Sequence, residues 1–349
     1  MRINKIVLLS LVVLFSMIFS IFGLAQRIVT IGTDPVDSGT YAATAGLSNI
    51  INMYNKSGIM LKVKPTTGPM DTSGLMATGE LELVSMSQYN ARDSWLTKGD
   101  MQIYDKINKV NPTRLLFGSI FDYIGAFTID GTGILTGADI KGKKFVGIIT
   151  SSPKSTKEAL GFLANWGLTE DDVKMISVAS LVDVTKVVLE GRADVSGQGS
   201  LAGADMVELD AVKGVRFLSL NTDPEALKAY EDIFGVFSWV WVDPHPVLTG
   251  VRERTAMLIM RDYCMCNPNL ISDEEAYAII EALWDHMDLV TAINADFTFF
   301  MKPEMLLVEE SLVPYHPGAI KFFKEKGIWT QAEEDKQAEL LALEAEEMK

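Results

Sequence analysis

Short β-branched runs alternate with helical segments along this chain, and loops rich in hydroxyl side chains join them. The first unit predicts strands at 27–32, 61–64 and 81–86, separated by helices at 39–54 and 70–77. Strand, helix, strand, helix, strand with short loops is typical of a parallel sheet with helices on both faces. The alternation therefore predicts an α/β fold whose ligands bind at the carboxyl ends of the strands.

The alternation begins again after a β-rich stretch at 114–130. The second unit has predicted strands at 144–149, 175–178 and 193–196 and predicted helices at 153–166 and 182–190. Two successive units predict two lobes joined by hinge strands at 115–129 and 235–242. Lobe 1 is expected to comprise residues 26–122 and 239–349, and lobe 2 residues 123–238. Further helices are predicted at 273–289 and 331–349.

The first 25 residues are basic and then apolar, and they end in small residues. Arg2 and Lys5 precede an apolar run over 6–22, and Ala25 completes a small-x-small sequence. This pattern predicts a secretory signal peptide at 1–25, cleaved after Ala25, and hence a periplasmic protein. An uncleaved membrane anchor is the alternative, since the run is only just long enough to cross a bilayer.

The charge balance restricts the partners of this chain. Acidic residues number 46 against 31 basic ones, which gives a net charge of -15. Such a field repels nucleic acid and anionic lipid, so no nucleic-acid partner is expected.

The residues that usually hold metals or perform catalysis are few and badly spaced. The two cysteines, Cys264 and Cys266, would point to different faces if 261–266 were helical, which disfavours a disulfide. The three histidines share no metal-ligand spacing, and the glycine-rich runs fit neither a P-loop nor a dinucleotide fingerprint. We therefore expect no metal, no cofactor and no catalytic residues.

Loops at the ends of the predicted strands carry small and hydroxyl residues and lead into helix N-termini, which favour anions. Several such loops converging on one cleft predict a ligand site. The expected ligand-binding residues are Thr33, Tyr41, Thr67, Gly68, Gln88, Tyr123, Ser151, Ser152 and Gln198. For each loop the alternative is a simple helix cap; Ser155 with Glu158 and Thr169 with Asp172 resemble capping boxes. For Tyr123 the alternative is a buried strand residue.

Several of these segments together resemble a known family. They are the segments at 31–33, 39–41, 66–68 and 138–144, and above all the Pro-Tyr-His-Pro-Gly-Ala sequence at 314–319 within 313–327. The order resembles the TAXI family of extracytoplasmic solute receptors over nearly all of the mature chain. The resemblance implies a type II periplasmic-binding-protein-like fold and a receptor of a TRAP transporter, with membrane permease subunits as partners. It also implies a small organic anion or an amino acid as ligand, dicarboxylate- or glutamate-like.

This chain departs from the family pattern in both lobes. The second lobe has 151–156 in place of a glycine-rich loop, and the first loop inserts Asp34 and Asp37. These carboxylates would reject an acidic group or accept an amino group. Helix N-termini favour an anion or zwitterion, with Lys154 and Arg92 as candidate counter-ions. Ligand-driven closure of the lobes is the expected mechanism, and the alternatives are a secreted enzyme or a sensing module for a membrane partner.

The 314–319 segment also has an architectural interpretation. Two prolines and a glycine there predict a turn before a helix at 319–326, without ligand contact.

Overall fold

The computed structural model describes residues 26–36, 38–104, 106–150, 152–201, 204–235, 237–246, 248–293 and 301–349. The predicted signal peptide lies outside these residues. Among the described helices, none has the length and apolarity that a membrane crossing requires.

Eleven strands are assigned within the described residues. In chain order they are β1 (Arg27–Thr33), β2 (Ile59–Pro65), β3 (Leu83–Ser87), β4 (Arg114–Ile124), β5 (Ala126–Ile129), β6 (Lys144–Ile149), β7 (Lys174–Val178), β8 (Val195–Ser196), β9 (Val215–Leu218), β10 (Ser238–Val242) and β11 (Thr255–Cys266). They form two mixed sheets.

The helices are mostly inserted between these strands. In chain order they are α1 (Gly39–Tyr54), α2 (Pro69–Ala77), α3 (Gln88–Leu96), α4 (Pro153–Asn165), α5 (Val182–Leu189), α6 (Ala204–Lys213), α7 (Pro224–Phe234), α8 (Asp273–Asp285), α9 (Met287–Thr291), α10 (Pro317–Glu325) and α11 (Gln331–Glu347). Short 3-10 turns lie at Gly99–Tyr104, Gly137–Ile140, Glu170–Asp172 and Pro303–Leu306.

The large sheet has the strand order β10-β11-β3-β1-β2, with β4 paired to β11. Its strands β1, β2 and β3 are parallel, as the strand–helix alternation predicts, whereas β11 runs antiparallel to β3, β4 and β10. The small sheet has the order β7-β6-β8-β5-β9, with a parallel core of β7, β6 and β8. The chain passes from the large to the small sheet after β4 and returns at β10.

The α/β architecture with flanking helices is confirmed, and most predicted elements are present. The elements predicted from 27 to 196 occur with ends that differ by at most two residues. The helix predicted at 273–289 is instead broken at His286, whose backbone leaves the helical region between α8 and α9. The capping box predicted at Thr169 and Asp172 is confirmed. The box predicted at Ser155 is wrong, because α4 is capped by Ser152, whose hydroxyl accepts from the Ser155 N–H.

The conditional assignment of 261–266 to a helix is wrong. These residues end the twelve-residue strand β11, which pairs with β3 on one side and β4 on the other. In a strand, residues two apart point to the same face, so Cys264 and Cys266 share a face instead of being separated. Both are buried free thiols.

One apolar cluster joins the two sheets at their crossing. Phe162 of α4 and Tyr230 of α7 pack edge to face with ring centroids 5.5 Å apart. Their cluster includes Ile124 at the end of β4 and Leu258 in β11. The helices of the small sheet are therefore packed against strands of the large one.

The 314–319 segment forms the turn that begins α10, as its architectural interpretation predicts. His316 is the N-cap of α10, and its Nδ1 accepts a hydrogen bond from the Gly318 N–H at 3.1 Å. Its Nε2 lies 3.2 Å from the Ile271 carbonyl oxygen, and the residue is 1% exposed. The turn thus fastens α10 to the segment before α8.

Candidate functional site

Charged and aromatic side chains meet where strand ends of the large sheet face the start of α4. Asp34 follows β1, Ser87 ends β3, and Asp262 lies directly opposite Ser87 in the β11–β3 pairing. Lys154 lies in the first turn of α4, just beyond the carboxyl end of β6. We call this region the polar junction; its members are Asp34, Thr40, Ser87, Tyr89, Asp93, Lys154, Glu158, Phe234 and Asp262.

Two carboxyl groups of the junction approach one hydroxyl group. The Thr40 side chain hydrogen-bonds to both Asp34 and Asp262. Burial raises the pKa of Asp262 to about 7, and the nearby charge of Asp34 adds to the rise. Burial likewise raises the pKa of Asp34, whose Oδ1 is buried without a hydrogen-bond partner among the described residues. This pair is short of positive charge and of hydrogen-bond donors.

Lys154 reaches from the small-sheet side to the large-sheet side. Its Nζ lies 3.5 Å from the Ser87 Oγ and 3.9 Å from the centre of the Tyr89 ring. An ammonium over an aromatic face at this distance makes a cation–π contact. The lysine therefore bridges the two sheets through groups that also suit a small cationic ligand.

The surroundings of Lys154 are mainly acidic. Burial lowers the pKa of Lys154, while the charges of Glu158, Asp93 and Asp262 oppose that shift. Glu158 lies one helical turn further along α4 and is 3% exposed. Burial raises the pKa of Glu158, and the positive charge of Lys154 opposes the rise. The charges of several carboxylates thus act on one ammonium group.

Aromatic rings form the rest of the junction. Tyr89 packs edge to face on Phe234 with centroids 5.2 Å apart, which again joins the large-sheet side to the small-sheet side. The Tyr89 hydroxyl hydrogen-bonds with the Gln88 side chain and the Ser238 backbone, and burial raises its pKa to about 12. The ring is therefore held in a fixed orientation and stays neutral.

The threonine residues of the predicted site serve the fold. Thr33 is fully buried, with its hydroxyl 3.4 Å from that of Thr44. Thr67 is exposed and donates from its N–H and its hydroxyl to Asp71. Gly68 is the N-cap of α2, with a φ of 144° that a side chain would strain.

The remaining predicted site residues are spread more widely. Gln88 is buried beside Tyr89 and so borders the junction. Tyr41 is half-buried in the first turn of α1, and Ser152 caps α4 one residue before Pro153. Tyr123 is 5% exposed within β4, and Gln198 is buried with its N–H donating to Ser196. Ser151 lies outside the described residues.

The junction contains residues that the loop pattern did not indicate. Asp262, Tyr89 and Glu158 lie in a strand and in helices, not in the hydroxyl-rich loops. A signal existed for Asp262, because an aspartate inside the apolar run of 255–266 must find a polar environment when buried. Lys154 was expected as a counter-ion for the ligand. In the structure its Nζ lies beside the Ser87 hydroxyl and over the Tyr89 ring, and the charges of nearby carboxylates act on it. No group of three metal-ligating side chains occurs in the described ranges.

Comparison with known proteins identifies a family and several distant structural relatives. Residues 31–327 match the NMT1-like family. Among solved structures, the periplasmic aliphatic sulphonate binding protein SsuA from Escherichia coli is 12% identical, with 89% of this chain and 91% of that chain covered and a TM-score of 0.46. PhnD1 from Prochlorococcus marinus, in complex with methylphosphonate, is 9% identical, with 87% and 100% covered and a TM-score of 0.49. A sulfonate ABC transporter binding protein from Methylobacillus flagellatus is 15% identical, with 76% and 70% covered and a TM-score of 0.48.

Proposed function

The chain belongs to the NMT1-like family, and on that footing we propose that it is a non-enzymatic solute receptor that closes two lobes around a small molecule. The expected ligand is a small organic anion or an amino acid. The observation that carries the proposal is the bridging of the two sheets by Lys154, which contacts Ser87 and Tyr89 on the opposite side. Groups that meet only when two bodies close are suited to detecting a solute between them.

We propose that residues 26–122 and 239–349 form one lobe and residues 123–238 the other. The two crossings of the chain support this division, because β4 ends at Ile124 and β10 begins at Ser238. At the first crossing Gly125 is tightly enclosed, since a Cβ there would lie 2.8 Å from the Phe217 ring. Few residues separate the sheets at this point, as a hinge requires.

The test of the receptor proposal combines calorimetry with small-angle scattering. A ligand that gives saturable one-to-one heat should also reduce the radius of gyration, because closure requires contacts with both lobes. Amino acids, dicarboxylates and sulfonates form a suitable panel. Conversion of any bound compound into a product would contradict the proposal, and so would binding without compaction.

We further propose that the protein works outside the cytoplasmic membrane with a TRAP-type permease. The support is the resemblance of 313–327 and the strand-end loops to TAXI receptors. Membrane vesicles that carry the permease would distinguish the transporter classes. Uptake that needs this receptor and an ion gradient is expected. Uptake that needs ATP hydrolysis would instead indicate an ABC-type partner.

A further inference from the structure

We propose that the polar junction is a subsite for a protonated amino group, which takes the place that the Lys154 ammonium holds in this structure. The ligand class is thereby a primary amine or an amino acid, and a dicarboxylate without an amine is excluded. This inference rests on the proposed receptor function and specifies its ligand.

Lys154 already occupies a position on the large-sheet side that suits an ammonium ion. We call this position the seat. Its Nζ lies 3.9 Å from the centre of the Tyr89 ring and 3.5 Å from the Ser87 Oγ. A hydroxyl acceptor, an aromatic face and surrounding carboxylates are the groups that bind an alkylammonium ion. Because the lysine comes from the small-sheet side, opening of the lobes would withdraw it and leave this seat on the large sheet.

The carboxyl groups of Asp34 and Asp262 have few hydrogen-bond donors and little positive charge near them. The buried Asp34 Oδ1 has no hydrogen-bond partner among the described residues, and the Thr40 hydroxyl serves both Asp34 and Asp262. An ammonium has three donors, whereas a hydroxyl has one. A ligand amine would supply both the missing donors and the missing positive charge.

The elements that meet at the polar junction contribute more acidic than basic side chains. Four carboxyl groups act through their charge on Lys154 or on one another: Asp34 just after β1, Asp93 in α3, Glu158 in α4 and Asp262 in β11. The other nearby cation, Lys157, is exposed. Arg261 adjoins Asp262 in the chain, and the carboxylate Glu309 acts on its charge. The negative charge of these carboxyl groups would repel an anionic group of a ligand at the polar junction.

The direction in which the Lys154→Met substitution changes the ligand affinity distinguishes this inference from a counter-ion role for Lys154. Lys154→Met keeps the aliphatic stem and removes an internal competitor for the seat, so affinity for an amine should rise about threefold or more. Asp262→Asn removes one charged acceptor at constant shape and should weaken amine binding about tenfold or more. Matched controls are Lys157→Met on the same helix and Asp171→Asn at the amino end of β7; neither should change affinity.

The probes are L-lysine, 1,4-diaminobutane, L-glutamate, succinate and methanesulfonate, titrated into each full-length variant that melts in a single cooperative transition. Binding of the amine-bearing probes, strengthened in Lys154→Met and weakened in Asp262→Asn, is expected. The inference is overturned if no amine binds, or if succinate or methanesulfonate binds and Lys154→Met abolishes that binding. In the latter case the receptor proposal survives, since it fails only when binding occurs without compaction or with turnover.

Discussion

The two sides of the polar junction differ in what holds their charged groups. On the large-sheet side, Asp262 lies within a twelve-residue strand and pairs with Ser87 of β3, beside an irregularity in the pairing with β4, so its backbone is held by the sheet. On the small-sheet side, Lys154 extends from the first turn of a helix by a long side chain. The acceptor Asp262 is thus attached to a strand of the sheet, whereas the donor Lys154 lies at the end of a flexible side chain. Ligand selectivity should therefore depend on the large sheet, and closure on the small one.

The largest expected effect tests whether the two sheets unfold together. Phe162→Ala and Phe322→Ala each empty a fully buried aromatic site and should cost about 3–5 kcal/mol. Phe162 belongs to the cluster with Ile124 and Leu258, so its loss should weaken hydrogen-exchange protection in both sheets. Phe322 packs on Tyr277 and Trp284, so its effect should be greatest around α8 and α10. Exchange measured by mass spectrometry would contradict this if Phe162→Ala affected only the small sheet.

The next effect is a pH dependence that originates on the large-sheet side. Folding raises the pKa of Asp262 from 3.8 to about 7, so the folded state binds this proton more tightly than the unfolded state. The free energy of unfolding should fall as pH rises from about 4 to 7, by an amount on the order of 3 kcal/mol. Asp262→Asn imitates the protonated group and should flatten the slope.

Some pH dependence of the free energy of unfolding should remain in Asp262→Asn, because a second carboxyl group also has a raised pKa. Glu158 also has a raised pKa and should give a decline of the same sign. Asp139, near the start of β6, has its pKa lowered by hydrogen bonds from Leu135 and Thr136. Asp139→Asn should leave the slope above pH 5 unchanged. Thermal melts across the range would contradict the assignment if Asp262→Asn kept the full wild-type slope.

A smaller effect compares a shielded ion pair with an exposed one. Arg114 makes two 2.9 Å contacts with Glu344 of α11, and the Trp95 Nε1 donates to the same carboxylate at 2.8 Å. Glu344→Gln should cost about 2 kcal/mol, because it weakens a bidentate charged contact that is largely shielded from water. On the small-sheet side, Asp232→Asn breaks an exposed pair with Lys228 and should cost much less. Equal losses in urea unfolding would show that shielding is not the cause.

The smallest effect compares the two helix caps on either side of the junction. The Ser38 hydroxyl caps α1 by accepting from the Tyr41 N–H, and the Ser152 hydroxyl caps α4 in the same way. Each change to alanine should cost about 1 kcal/mol. Ser152→Ala should be the more costly, since the Ser152 hydroxyl also bonds to that of Ser155 at 2.9 Å. The reverse order in urea unfolding would contradict this ranking.

The fold was largely predictable because its signals are local. Periodicity, glycine stops and proline starts indicated most of the elements up to residue 196, where strands and helices alternate within short windows; the helix α3 was not predicted. The strand β11 escaped because its sequence, Thr-Ala-Met-Leu-Ile-Met before Arg261, is apolar without alternation. A strand buried on both faces has no period of two to detect, and Met and Leu favour helices equally well.

The site was harder to predict because it depends on contacts between distant residues. Hydroxyl-rich loops pointed to the edge of the sheet where the polar junction lies, but the Thr33 and Thr67 hydroxyls are engaged by Thr44 and Asp71. The pairing of Asp262 with Ser87 requires the antiparallel register of β11 on β3, which nothing near either residue encodes. The meeting of Lys154 with Tyr89 further depends on how the two sheets pack.

The buried cysteine pair has a practical consequence for following closure by fluorescence. Cys264 and Cys266 are the only cysteines of the chain, both lie in the interior, and burial raises the pKa of each thiol. Maleimides react with exposed thiolates, so the native thiols should be inert while the protein is folded. Dye-accepting cysteines placed at exposed Thr67 and Pro153 would then be labelled without removing the two native cysteines. Energy transfer between the two dyes would report the motion in single molecules.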